Sequence, residues 1–346
     1  MKIITNEQIF EPPWSGHVHA STLLELKDGG FLAAWFQGSK ESAPDVCIVG
    51  SRRIGGVWDK PRVLADIPDV PQWNPVLRRG DDGRIVLYFK VSSTIQDWNT
   101  YIVESHDEGA TWDSPREWVP GDESGGRGPV KNKCLKLSDG RTWLAPASVE
   151  RGTWEAFIDV STDDGRTWTR RPFFVKPDVN TGDKLGDGVL CVIQPSLWQS
   201  GPNDVSCLMR SNNKALYRSD SHDGGKTWSP LYDSGVPNNN SGIDLVRRRD
   251  GRLVLICNPI ARNWGGRNQL DAWVSEDDGK TWKADLTLAF DPEPKQPDGR
   301  GTEFSYPAII VPRPGVLAIS FTWNRRQIRF VEISCQSLVL SGRVVF

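Results

Sequence analysis

One octapeptide recurs four times along this chain of 346 residues: SHDEGATW at 105–112, STDDGRTW at 161–168, SHDGGKTW at 221–228 and SEDDGKTW at 275–282. Successive copies start 56, 60 and 54 residues apart, and a degenerate copy, SRRIGGVW at 51–58, lies 54 residues upstream of the first. A period of that length marks an array in which each unit buries its apolar face against its neighbours. Within the octapeptide, Ser and Asp can bond turn amides, Gly supplies positive φ, and Trp anchors the turn from beneath. The aspartates therefore read as fold staples. The DxDxDG spacing and closing Glu of a calcium loop are missing, and GGKT at 224–227 lacks the glycine a phosphate loop needs at 220, where Asp220 stands.

A second periodic mark is an Asp-Gly turn between two alternating apolar runs, in LLELKDGGFLAAW, VLRRGDDGRIVLYFK, LKLSDGRTWLAP and LVRRRDGRLVLICN. Asp-Gly between such runs is a strong hairpin signal, because both central positions tolerate positive φ. Weaker members near 203 and 315 bring the series to six hairpins, each followed by a third run and, except after the last, by the octapeptide or its degenerate form. Six units of four short strands predict an all-β fold, a six-bladed β-propeller of antiparallel blades occupying residues 1–346 as one domain. The last unit supplies three obvious strands, so MKIITNEQIFE is expected to provide the fourth and leave no open edge.

Composition narrows the partners. The 42 Lys and Arg balance 44 Asp and Glu without blocks, which argues against a nucleic-acid groove or a polybasic membrane anchor. No apolar run is long enough to span a bilayer as a helix. If residue 1 is the native start, the absence of a secretory h-region implies a cytoplasmic protein. The six cysteines are scattered in strand-like runs without a CxxC pair and read as free thiols. No His/Cys/Asp cluster has metal-ligand spacing, so no metal or cofactor is expected. The 16 tryptophans are far above background, and four of them, Trp112, Trp168, Trp228 and Trp282, close the octapeptides. Oligomeric state is not legible.

In a propeller the first strand of each blade lines the central channel, and its starting end opens on the face that usually carries the site. The six first-strand starts are SGHVHAST, PQWNPV, GPVKNK, VIQPSL, NNNSGIDL and TEFSYPA. They converge His17, His19, Trp73, Asn74, Lys131, Asn132, Gln194, Asn240, Glu303 and Tyr306 on one mouth. The second strands return there with Trp35, Lys90, Glu150, Arg210, Asn258, Arg325 and Arg326. Trp35 and Trp73 offer faces for a sugar ring, and the amides and cations suit hydroxyls and carboxylates, so a carbohydrate is the expected partner.

The octapeptide is the Asp-box, or BNR repeat, and over its whole length the chain resembles the sialidase-like superfamily of six-bladed propellers. The resemblance implies retaining hydrolysis of a terminal, acidic sugar by a Tyr nucleophile activated by a Glu, an Asp acid/base on a loop, and three Arg on the sugar carboxylate. Carried over, Tyr306 stands as nucleophile, Asp45 in GSKESAPDV as acid/base and Arg210 as one clamp, with Glu303 placed to activate Tyr306. The family's usual Glu position is Gln194 here, and its first-blade Arg-Ile-Pro motif is replaced by His17-Val18-His19. Arg262, Arg267 and Arg326 are the candidates for a further clamp. A neutral His or Gln does not reproduce a bidentate guanidinium.

Two other readings stay open. A uronate-specific β-eliminating lyase would use His17 or His19 for proton transfer, with Arg210, Gln194 and Asn132 on the carboxylate. A non-catalytic glycan-binding propeller would need mainly aromatics and amides, against which stands the convergence of His17, His19, Asp45, Glu303 and Tyr306.

Overall fold

Alternating apolar residues between Asp-Gly turns give short strands, and each set of four folds into a twisted antiparallel sheet. The computed structural model describes residues 1–122, 126–173, 190–293 and 301–335. Blade 1 runs through His17–Glu25, Phe31–Gly38 and Cys47–Ile54, with an outer position split between Val57–Trp58 and Arg62–Ala65. Blade 2 comprises Gln72–Arg79, Ile85–Val91, Asn99–Ser105 and Arg116–Glu117, and blade 3 Leu135–Lys136, Trp143–Arg151, Thr153–Ser161 and Thr169–Pro172. Val192–Gln199, Val205–Ser211, Ala215–Ser221 and Tyr232–Pro237 form blade 4, while Asp244–Arg247, Leu253–Cys257, Gln269–Ser275 and Lys283–Phe290 form blade 5. Blade 6 takes Phe304–Arg313, Val316–Trp323 and Gln327–Ser334, and its fourth strand is Lys2–Gln8. That pairing runs from Lys2 opposite Ser334 to Gln8 opposite Arg329. The six-bladed propeller is thus observed, and its six first hairpins turn where the six sequence marks lie.

The core is layered between blades. Leu32, Phe36, Leu87 and Phe89 fill the space between blades 1 and 2, and Val254, Ile256, Ile319 and Phe321 that between blades 5 and 6. Phe31, Trp35 and Phe330 join blade 6 to blade 1, with Phe10 stacked on Trp35 at 5.4 Å. Each blade buries both faces, so its middle strands read as continuous apolar runs such as IVLYFKV.

The Asp-boxes sit between the third and fourth strands, at the same end as the Asp-Gly hairpins and opposite the first-strand starts. In the box of blade 3, Ser161 Oγ donates to Asp163 and accepts from Gly165 N, and Asp163 accepts from Thr167 N at 2.9 Å and Thr167 Oγ1 at 2.6 Å. The boxes beginning at Ser105, Ser221 and Ser275 repeat the pattern. The turn needs two consecutive left-handed residues, Glu108-Gly109, Asp164-Gly165, Gly224-Gly225 and Asp278-Gly279, so the residue before the expected glycine is left-handed as well. Carboxylates at that first position reach the preceding blade: Asp164 pairs with Arg78 at 2.8 Å, and Asp278 accepts from Trp198 Nε1 at 2.9 Å. The four aspartates Asp107, Asp163, Asp223 and Asp277 are held down to about 2. For Asp107 and Asp277 the Thr hydroxyl and amide donors lead; for Asp163 and Asp223 slight burial opposes the shift and the same donors outweigh it.

Candidate functional site

At the opposite end a left-handed non-glycine residue lies in the first strand of blades 1, 2, 4 and 6 and four residues ahead of it in blades 3 and 5: Ala20, Asn74, Lys131, Gln194, Asn240 and Tyr306, with φ between 42° and 69°. In blades 1, 2, 4 and 6 the pairing register slips at that point, between His19 and Thr22, Trp73 and Val76, Ile193 and Ser196, and Ser305 and Ala308. These are β-bulges, which bend the strand and re-aim a side chain. Three of them, Asn74, Gln194 and Tyr306, turn their side chains into one cavity of about 230 Å³. Left-handed non-glycine residues cost about 1–2 kcal/mol each, so a ring of them needs a purpose or strong packing to persist.

The rest of the lining comes from the connections between second and third strands. Glu41 comes from blade 1, Ile95 and Trp98 from blade 2, Trp264 and Arg267 from blade 5 and Arg325 from blade 6, while Glu150 and Arg210 sit at second-strand ends of blades 3 and 4 and Trp73 on the first strand of blade 2. Arg210 donates from NH1 to the Tyr306 hydroxyl at 2.7 Å and from Nε to Asn240 Oδ1 at 3.0 Å, with Gln194 Oε1 at 3.4 Å. Its guanidinium lies over Trp154 at 5.4 Å and Trp264 at 6.0 Å. Asn240 is itself fixed by Asn263, so it orients Arg210 from below. Gly242 packs under the nucleophile candidate: a Cβ there would lie 3.2 Å from Tyr306 Cγ.

Behind Tyr306 lies an ionic chain. Glu303 accepts from Arg267 NH1 at 2.8 Å, Arg325 Nε at 2.8 Å and Ser305 Oγ at 2.5 Å, and Arg325 continues to Glu41. Burial alone would raise the Glu303 carboxyl, but Arg267 and Arg325 hold it well below the usual range, so it stays ionised. His19 is buried, 4.2 Å from the Tyr306 ring, with Nδ1 2.9 Å from Thr322 Oγ1. Burial first, and Arg325 second, depress it well below the ordinary histidine value. The imidazole is therefore neutral at pH 7. Glu150 behaves oppositely: burial pushes its carboxyl up, Arg210 draws it partly back, and Glu41 adds to the rise.

The structure gathers Tyr306, Arg210, Gln194, Asn74 and Trp73 at the cavity and puts Glu303, His19 and Asn240 directly behind it. His17 lies one step away, accepting from the Glu41 amide at 3.2 Å. Several expectations need correction. Trp35 is fully buried between blades 6 and 1, so it has no face for a sugar. Trp73 is 5% exposed, packed on Trp98 with Nε1 tied to Ser92 O, and contributes little open face. The open face belongs to Trp264, at 58% exposure. Asp45 lies outside the cavity lining and accepts from Ser39 N and Oγ at 2.9 and 2.8 Å, capping its own loop. Lys131 and Asn132 spend their donors on Ile243, Pro307, Gln194 and Pro195 carbonyls, tying the inner strands together across the channel. Burial brings Lys131 down to about 7. Arg326 points outward to Trp14 and Ser15 carbonyls, and its neighbour Arg325, left-handed at the hairpin tip, takes the inner place.

The BNR repeat-like domain model matches residues 29–319. The chain belongs to that family. The chain is similar to sialidases in part of its sequence and in its fold. A sialidase of Clostridium perfringens is 25% identical over 160 residues, 41% of this chain, and the match spans 37% of that relative's length. Among solved structures, a protein of unknown function from Dyadobacter fermentans superposes with TM-score 0.74 at 15% identity, covering 97% of this chain and 99% of its own. A sialidase of Streptococcus pneumoniae gives TM-score 0.70 at 11% identity, covering 96% of this chain and 71% of its own. Identities this low speak for the BNR fold alone.

Proposed function

We propose that this BNR repeat-like protein is an exo-acting glycoside hydrolase that removes one terminal, acidic sugar, with Tyr306 as nucleophile. The observation that carries the reading is the Tyr306 hydroxyl in the wall of the cavity, 2.7 Å from the Arg210 guanidinium. An N–H donor aimed at that oxygen favours negative charge developing on it. The cavity of about 230 Å³ equals roughly eight water volumes at about 30 Å³ each. It suits one sugar ring rather than an extended chain, hence exo action. Among the lining guanidiniums, Arg267 and Arg325 are engaged by Glu303 and Glu41, whereas Arg210 bonds only neutral partners among the described residues. Arg210 is thus the cation for a sugar carboxylate, one clamp and not three.

The test is a screen of 4-nitrophenyl glycosides of N-acetylneuraminic acid, uronic acids and neutral sugars, with uronate oligosaccharides read for unsaturated product. The expected result is release of an acidic sugar, with Tyr306→Phe losing on the order of 10³-fold or more in kcat at unchanged melting temperature. Full turnover by Tyr306→Phe overturns the reading. An unsaturated uronate product replaces it with elimination, and saturable binding without turnover replaces it with a lectin.

A further inference from the structure

We propose that Glu150 is the proton donor of the site, protonating the departing glycosidic oxygen and then acting as base on the water that releases the sugar. The inference rests on the hydrolase reading and extends it to a residue that neither the Asp-box pattern nor the first-strand starts single out.

Three observations carry it. Glu150 ends the second strand of blade 3 and lines the same cavity as Tyr306, which puts both beside a sugar held there. No hydrogen bond or ion pair ties its carboxyl to another described side chain, whereas Glu303 is engaged on both oxygens and Glu41 is bound to Arg325. Asp45, the other carboxyl considered, is engaged by its own loop outside the lining. The surroundings also push two carboxyls apart: Glu303, behind the cavity wall between two guanidiniums, is held ionised, while burial and Glu41 favour the protonated form of Glu150 in the lining. Neighbouring carboxyls driven in opposite directions are the usual physical signature of an acid and a fixed charge. Arg210, which moderates the rise, keeps the proton transferable.

Tyr306 Oη bonds to the anomeric carbon as the bond from that carbon to the leaving oxygen breaks, and that oxygen takes the Glu150 proton. The phenol proton passes to solvent. Water then attacks the same carbon, gives one proton to the Glu150 carboxylate, and the tyrosine oxygen leaves and recovers a proton from solvent. The net change is addition of water across one glycosidic bond.

Glu150→Gln is compared with wild type on the 2,4-dinitrophenyl and the methyl glycoside of the sugar found in the screen. The first leaving group needs no proton and the second does. The expected result is a loss on the methyl glycoside of at least 100-fold in kcat/KM, a loss at least ten times smaller in the first step on the dinitrophenyl glycoside, and disappearance of the alkaline limb of the pH profile. Equal losses on both substrates, or an unchanged pH profile, overturn the role of Glu150 while leaving Tyr306 untouched. Full activity of Tyr306→Phe overturns the hydrolase reading itself. A readout free of any substrate is the carboxyl titration of ¹³C-Glu protein by NMR, with the Glu150→Gln spectrum assigning the signal. The expected Glu150 midpoint lies above the ordinary glutamate range, and one at or below that range overturns the proposal.

Discussion

At the Asp-box rim a left-handed pair such as Asp164-Gly165 recurs with almost the same side chains around it, whereas at the mouth the left-handed position recurs with six different ones: Ala20, Asn74, Lys131, Gln194, Asn240 and Tyr306. The first device recurs in blades 2 to 5, and the second in all six. At the first, the Ser, Asp, Thr and Trp around it satisfy the turn locally, and the aspartates face their own threonines. At the second, the bulge satisfies nothing by itself and delivers its side chain to the channel or to a neighbouring blade. Repeated geometry with repeated side chains is architecture; repeated geometry with divergent side chains is where a symmetric fold acquires an asymmetric site.

The contrast can be broken by substitution. The largest effect on stability is expected from Asp163→Ala combined with Asp223→Ala, which removes the carboxylate acceptors of two turns. A loss of about 1–2 kcal/mol per box, at the low end because these side chains are largely solvated, should lower the melting temperature by roughly 3 °C. Turnover per folded molecule should not change, and a scanning-calorimetry trace with paired kinetics checks both. If turnover falls with stability, the two rims are not separable.

Trp264→Ala should do the reverse. Its ring is exposed and lies beside Arg210 at the cavity. The expected result is a rise of about tenfold in KM, or ~1.4 kcal/mol, at the upper end of aromatic stacking contributions, with a melting temperature within about 1 °C of wild type.

Acid sharpens the comparison further. Because the box aspartates are depressed from 3.8 to about 2 when folded, their contribution is present above pH 4 and lost as pH falls from about 4 to about 2. Wild-type stability should therefore drop in that window, and the double box variant should drop less. His19 acts at milder pH. Its folded value lies well below 6.5, so the unfolded chain takes up a proton first and stability declines as pH falls below 6.5. The groups facing it are Arg325, Glu303, Arg267 and His17. The smallest effect expected is a shallower loss of urea midpoint between pH 6.5 and 5.5 in His19→Gln than in wild type.

The same division explains what was legible in the sequence. The blades were legible because Asp-Gly turns and Asp-boxes are local chemistry written in nearly invariant letters. Tyr306, Arg210, Gln194 and Asn74 were legible because first-strand starts and second-strand ends converge in any propeller. Glu41, Trp98 and Trp264 lie in connections of unequal length and irregular conformation, which no periodicity reaches. The left-handed ring was hidden because none of its six members is glycine. Trp35 was misplaced since a tryptophan in an alternating run looks the same whether it fills an inter-blade layer or reaches the mouth. Arg325 and Arg326 differ only by one position in a hairpin tip, and its turn geometry decides which enters.

The pairing of Lys2–Gln8 with Gln327–Ser334 sets a clock on biosynthesis. Thr5 and Glu332, which share a hydrogen bond, stand 327 positions apart. At about 5–20 residues per second on the ribosome, the first strand waits roughly 15–65 s for its partner. During that interval the edge strand Gln327–Ser334 does not yet exist and the inward residues of blade 1, Phe31 and Trp35 among them, lack the Phe330 that later covers them. The nascent chain thus carries an apolar wall through most of its synthesis, and the moment of greatest need for a chaperone falls just before the last blade emerges.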